Sequence, residues 1–143
     1  MFRIVVDTNV FTAAVLSPTG VNRKVLRACF TAHAHPLMGA ALFHEYEALL
    51  ARPDLMKKSP LGPRDRQQLF EAFLSVCEWV RIYYLWRPNL PDEADNHLVE
   101  LALAGGADII VTHNVRDVRR GELAFPHLQI LTPGEFLKNF TIP

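Results

Sequence analysis

The chain has 143 residues, with 15 Lys and Arg against 15 Asp and Glu, a length that suits one domain, residues 1–143, built round a single core. The formal net charge is zero, so bulk electrostatics argue neither for nor against a polyanionic partner and local clusters must decide. No apolar run approaches a membrane span. The opening segment matches neither a signal peptide nor a transit sequence, and Cys29 and Cys77 lack metal-type spacing. Two reduced, buried thiols and a cytoplasmic location are expected.

In chain order, Arg3-Ile4-Val5-Val6 is too short and too β-branched for a helix and reads as a buried strand running into Asp7-Thr8-Asn9. Asn9 to Leu16 and Val21 to Ala32 have helical spacing. The turn chemistry of Ser17-Pro18-Thr19-Gly20 parts them into a helical hairpin. Pro36-Leu37-Met38 reads as a short strand, and Ala40 to Ala51 as an amphipathic helix ended by Arg52-Pro53. After the loop Ser59-Pro60-Leu61-Gly62-Pro63, a helix is expected from Asp65 to Cys77, then a strand from Trp79 to Tyr84. Glu93 to Ala104 reads as a helix stopped by Gly105-Gly106. A second buried strand, Ile109-Ile110-Val111, runs into Thr112-His113-Asn114, and Gln129-Ile130-Leu131 is a last strand. Thr132-Pro133-Gly134-Glu135 then supplies an N-cap Thr, Pro at the first helical position and Glu at the third, opening a terminal helix. The alternation describes an α/β parallel sheet, and ligands of such sheets bind at the carboxyl ends of the strands.

Several acids could converge there, which suggests a divalent metal, yet each has a structural reading too. Asp7 can cap the helix that follows it. Glu45 borders the apolar stripe of Leu42, Tyr46 and Leu49, and a carboxylate at the edge of a buried face needs a metal or an Arg partner. In Asp92-Glu93-Ala94-Asp95, Asp92 suits an N-cap and Asp95 the third helical position, where either complements the helix dipole. Asp117, among Arg116, Arg119 and Arg120, reads as a loop salt bridge. The six histidines lack zinc-ligand spacing and read as surface or core residues, with His97 and His113 nearest the site. There is no G-x-G-x-x-G, G-x-x-x-x-G-K-[ST] or G-x-S-x-G motif, which removes support for nucleotide-binding and serine-hydrolase readings.

Taken in order, Asp7-Thr8-Asn9, Glu45, Asp92-x-x-Asp95-Asn96 and Thr112-x-Asn114-x-x-Asp117 resemble a PIN domain. The likeness runs from Arg3 to about Leu137. It is strongest to the toxin branch of that family, the VapC-like ribonucleases of toxin–antitoxin systems, to which Leu98 to Thr112 and Leu131 to Leu137 are also similar. The resemblance implies a three-layer α/β/α fold, in which helices flank a parallel sheet, and RNA cleavage with Mg²⁺ or Mn²⁺. By the same resemblance Asp7, Glu45 and Asp95 match the three core acids and metal ligands, and Asp117 the fourth region. Thr8, Asn9, Thr112 and Asn114 would support them. Many members carry an acid soon after the Thr of the second strand, where this chain has Asn114. That removes a negative charge, so one tightly held ion is expected, with Asp117 as the candidate substitute.

Hard oxygen ligands on a divalent ion suit phosphodiester hydrolysis, which needs a nucleophile near neutral pH and charge neutralisation on phosphate. Arg52, Lys57 and Lys58, then Arg64 and Arg66, and separately Arg116, Arg119 and Arg120, form two basic patches able to contact RNA phosphates. Two rivals remain. A phosphatase of the HAD-like type uses a D-x-D motif, but Asn9 stands at its second acid. A catalytically silent PIN-like module would only bind a protein partner or nucleic acid. An antitoxin partner and a homodimer are further expectations, the latter from apolar and aromatic residues expected to be exposed in Leu69 to Phe73 and around Trp79 to Trp86.

Overall fold

The computed structural model describes residues 2–17, 20–82, 96–118, 125 and 127–139. Five strands form one sheet: β1 (Phe2–Val6), β2 (Ala34–Met38), β3 (Glu78–Trp79), β4 (Ile109–Val111) and β5 (Gln129–Leu131), in the order β3-β2-β1-β4-β5. Every pairing is parallel. The helices are α1 (Thr8–Leu16), α2 (Val21–Phe30), α3 (Ala40–Leu50), α4 (Pro53–Met56), α5 (Pro63–Val76), α6 (Asn96–Gly105), α7 (Val115–Val118) and α8 (Pro133–Asn139). Val5, Val6, Ile109, Ile110 and Val111 are buried, as strands covered on both faces require.

Helices cover both faces, which gives the three-layer α/β/α arrangement. A Cβ added to Gly105 of α6 would lie 2.5 Å from Leu37 Cδ1, so α6 packs on the face that carries Leu37. Side chains alternate along a strand, and Trp79, which pairs with Met38 rather than Leu37, points the other way. Its ring lies 5.4 Å from that of Phe43 on α3. Behind Phe43, the rings of Phe11, Tyr46, Phe70 and Phe73 pack at 5.2 to 6.0 Å, a centre that joins α1, α3 and α5.

Arg3 locks the edge where the strands begin. Its guanidinium makes two bonds to Glu78 at 2.7 and 3.2 Å and two to the Gly105 carbonyl at 2.7 and 3.0 Å, while His35 Nε2 also meets Glu78 at 3.0 Å. β1, β2, β3 and the end of α6 are tied together there, and the Arg3 hydrogen bonds followed by that from His35 hold the Glu78 carboxyl down to about 2. The opposite edge is left to polar residues.

Several boundaries move for identifiable reasons. α1 begins at Thr8, one residue early, because Asp7 is its N-cap. α2 ends at Phe30, and Ala32 turns the chain at φ 61°. β2 extends back to Ala34 because Ala34 and His35 pair with Phe2 and Arg3. Pro53 opens the one-turn helix α4 instead of merely ending α3, as proline at a first helical position can. The terminal capping box forms as expected, with Glu135 N donating to Thr132 Oγ1 and Thr132 N to Glu135 Oε1. Of the strand expected from Trp79 to Tyr84, Trp79 is in β3, which starts at Glu78, and residues 80–82 are not strand; Tyr83, Tyr84 and Trp86 lie outside the described residues. The expected exposure of Leu69 to Phe73 is overturned at Phe70 and Phe73, which the aromatic centre buries, whereas Trp79 is 54% exposed. Cys29 and Cys77 are free, and burial pushes the Cys29 thiol up to about 12. Among the described residues no helix is long and apolar enough to cross a membrane.

One bond sets α3 against the sheet: the buried Tyr46 hydroxyl donates to the Val6 carbonyl, next to Asp7. Tyr46→Phe should therefore lower stability by about 1–2 kcal/mol, the range for losing a buried hydrogen bond. A shift in the urea midpoint with unchanged slope would show it.

Candidate active site

The register of the sheet assembles the site. Asp7 N donates to the Val111 carbonyl at 2.9 Å and Thr112 N to that of Leu131 at 2.9 Å, so the residues leaving β1 and β4 stand side by side at the carboxyl edge. Asp7 is 4% exposed. Its Oδ1 accepts from Thr8 N at 2.7 Å and its Oδ2 from Thr112 Oγ1 at 2.7 Å and Asn9 Nδ2 at 3.2 Å. Thr112 is held in turn by Asn114 N, which donates to its hydroxyl at 2.9 Å. Capping and site are thus the same carboxylate, not alternatives.

Glu45 reaches the same spot from α3. Thr8 Oγ1 donates to Glu45 Oε1 at 2.7 Å and lies 3.3 Å from Asp7 Oδ1, so one hydroxyl proton sits between two carboxylates. The second oxygen, Oε2, is 2.7 Å from His97 Nε2 on α6. The hydrogen bond from His97 is the chief reason the Glu45 carboxyl lies below its ordinary value. Asp7 is displaced the other way: burial raises its carboxyl, the neighbouring Glu45 charge adds to that, and the Thr112 and Thr8 hydrogen bonds only partly offset it.

These residues fit a hard divalent cation. Neither carboxylate has a Lys or Arg partner among the described residues, and all four oxygens are fixed by N–H or O–H donors, the outer support that metal-binding carboxylates typically have. A buried carboxylate beside a second, part-buried one is costly without a cation. Asp7 and Glu45 could hold Mg²⁺ or Mn²⁺, both of which take oxygen ligands. The third expected acid, Asp95, lies outside the described residues, as do Asp92, Arg119 and Arg120. Among the described residues no three His, Cys, Asp or Glu side chains form a group able to hold a metal. Asp117 lies on α7, its side chain outside the described set.

Other expected positions scatter. Lys57 and Lys58 are exposed, and the adjoining Ser59 hydroxyl donates to the Val15 carbonyl, at the end of α1 remote from Asp7. Arg52 lies 3.6 Å from Asp54. Arg66 donates to the Leu61 carbonyl at 2.6 Å, a structural use. Arg116 is exposed on α7, close after Thr112 and Asn114. Sequence reasoning places His97 and His113 nearest the site but gives neither its partner: His97, the second residue of α6, meets Glu45. Asn22, whose Oδ1 lies 2.6 Å from His113 Nε2, comes from packing of α2 that no spacing announces.

The raised Asp7 carboxyl has a consequence for stability. Its native form holds a proton more tightly than the unfolded chain, so stability falls as pH rises from the ordinary value near 3.8 through the raised one. Asn caps a helix as well as Asp does. In EDTA at pH 7, Asp7→Asn should melt at the wild-type temperature or a few degrees above it, and the advantage should vanish below pH 3.8, where both states carry the proton. Paired melting curves across that range would reveal a purely structural cap by a lower mutant Tm throughout.

The PIN domain family model matches residues 3–116. An uncharacterized protein of Methanocaldococcus jannaschii, MJ1680, is 28% identical over 149 residues, spanning 96% of this chain and 91% of that protein. In structure the chain is similar to VapBC2 from Rickettsia felis, solved bound to a DNA fragment from their promoter, with a TM-score of 0.61 over 90% of this chain and 97% of that one at 15% identity. That likeness is one of fold. PIN domains are generally nucleases that use divalent metal ions. With the family match covering most of its length and the sheet order, capped first helix and acid pair in place, the chain belongs to the PIN domain family.

Proposed function

We propose that this chain is a Mg²⁺- or Mn²⁺-dependent ribonuclease and the toxin of a toxin–antitoxin pair. The observation that carries the reading is the Asp7–Glu45 pair at the sheet edge, a buried and a part-buried carboxylate that share the Thr8 hydroxyl and have no Lys or Arg partner among the described residues. Family membership supports nuclease chemistry, and the fold shared with VapBC2 supports an antitoxin partner.

Asp7, Glu45 and Asp95 would hold the ion. When bound, it would neutralise phosphate charge and make water a competent nucleophile near neutral pH. Thr112 and Asn9 orient Asp7, and Thr8 sets the spacing between Asp7 and Glu45. One of the carboxylates accepts the proton of the attacking water. Arg116, with Arg119 and Arg120, contacts the phosphate backbone, a role that positions RNA without reading its sequence.

Purified, partner-free protein incubated with a pool of structured RNAs, with and without EDTA, tests substrate and metal together. Asp7→Asn, Glu45→Gln and Asp95→Asn should each lower kcat by ~100-fold or more, the scale of losing several kcal/mol of metal-assisted stabilisation. Asp92→Asn should retain most activity. Mn²⁺ at a hundredfold excess over Kd should stabilise wild type by about 2.7 kcal/mol and leave Asp7→Asn unmoved. A wild type indifferent to Mn²⁺ and silent on every RNA would refute the reading. A homodimer belongs to the same proposal; light scattering that gave a monomer at high micromolar concentration would remove it.

A further inference from the structure

We propose that His97 is a positioning residue that holds Glu45 at the site by donating Nε2–H to Oε2, and that it is not itself a metal ligand. Its functional meaning rests on the nuclease reading; the contact does not. His97 opens α6 and Glu45 lies midway along α3, and these helices cover opposite faces of the sheet. Their 2.7 Å contact therefore closes over the carboxyl edge, beside Asp7. The close approach is built in: a Cβ on Gly39, the residue before α3, would lie 3.2 Å from Leu101 Cδ1 of α6. A larger residue there would require the Leu101 side chain to give way by a few tenths of an ångström.

The imidazole also shows which nitrogen carries the proton. A lone pair on Nε2 facing a carboxylate oxygen at 2.7 Å would be repulsive, so Nε2 must be the donor. Nδ1 is buried and has no hydrogen-bond partner among the described residues. Moving the proton to Nδ1 would create a buried donor with nothing to accept it. One ring nitrogen is thus committed to Glu45, and the other is shut away from an incoming ion. Glu45 is then clamped at both oxygens, by Thr8 from α1 and by His97 from α6, while a lone pair on each remains available.

Two measurements test this on the full chain. In the metal-free wild type, ¹⁵N NMR of the imidazoles should show His97 protonated at Nε2; a bare Nε2 would overturn the proposal. In Mn²⁺ titrations followed by electron paramagnetic resonance, His97→Met, of similar bulk but without a donor, should bind about 10–100-fold more weakly, the usual cost of losing an outer hydrogen-bond partner. His97→Gln, which keeps an N–H, should recover most of that loss. The Mn²⁺ complex should show no nitrogen coupling from a directly bound imidazole. Wild-type affinity in His97→Met, equal losses in both variants, or a nitrogen coupling that disappears with His97 would each overturn it. Should wild type bind no Mn²⁺, the nuclease reading fails, and the NMR result alone decides whether His97 holds Glu45. If His97→Met does not fold, His97→Gln and the NMR result still decide.

Discussion

The hydroxyl oxygen of Thr8 lies between two carboxylates, 2.7 Å from Glu45 Oε1 and 3.3 Å from Asp7 Oδ1, and its one proton cannot serve both fully. Because Glu45 takes the shorter bond, Asp7 must be satisfied from elsewhere, and the donors it uses come from three places: the backbone of α1, the side chain of Asn9 at its second position, and Thr112 beyond β4. The last of these depends on the parallel register of β1 with β4. A one-residue slip would send Thr112 to the other face of the sheet and take from the buried Asp7 the only donor that is not local in sequence. The geometry around Asp7 and the strand pairing are therefore linked.

The distribution of rigidity follows from that constraint. The edge where strands begin is closed by the charged Arg3–Glu78 pair with His35 and the Gly105 carbonyl. The edge where strands end contains like charges and no Lys or Arg partner among the described residues. It is held by N–H and O–H donors and by the Tyr46 hydroxyl on the Val6 carbonyl. Charge is paired at one edge and of like sign at the other. A cation at the second edge would make the two alike.

Local chemistry made much of the fold legible. β-branched runs at Ile4 to Val6 and Ile109 to Val111 had no other plausible use, and the Thr132–Glu135 capping box can be read from four letters because both of its bonds are local. Long-range contacts were less visible. Nothing in the sequence around Phe70 and Phe73 says that Phe11 and Tyr46 will bury them, since that depends on how α1, α3 and α5 converge. Glu45 was legible as a carboxylate in need of a partner, but not as the partner of His97, 52 positions away. The sequence leaves Glu45 needing either a metal or an Arg, and the contact it makes in the fold is with an imidazole nitrogen.

The asparagine at 114 can be weighed by the same logic. Its backbone N–H donates to Thr112 Oγ1 at 2.9 Å, and that hydroxyl donates to Asp7 Oδ2 at 2.7 Å, so the residue orients Thr112 through its main chain whatever side chain it carries. Replacing an acid by an amide at this position therefore leaves the support of Asp7 intact and removes only a charge. In a site where Asp7 is already raised by burial and by Glu45, a further nearby carboxylate would deepen the repulsion in the metal-free protein. The amide avoids that repulsion and, lacking the same charge, would attract a cation less than an acid does.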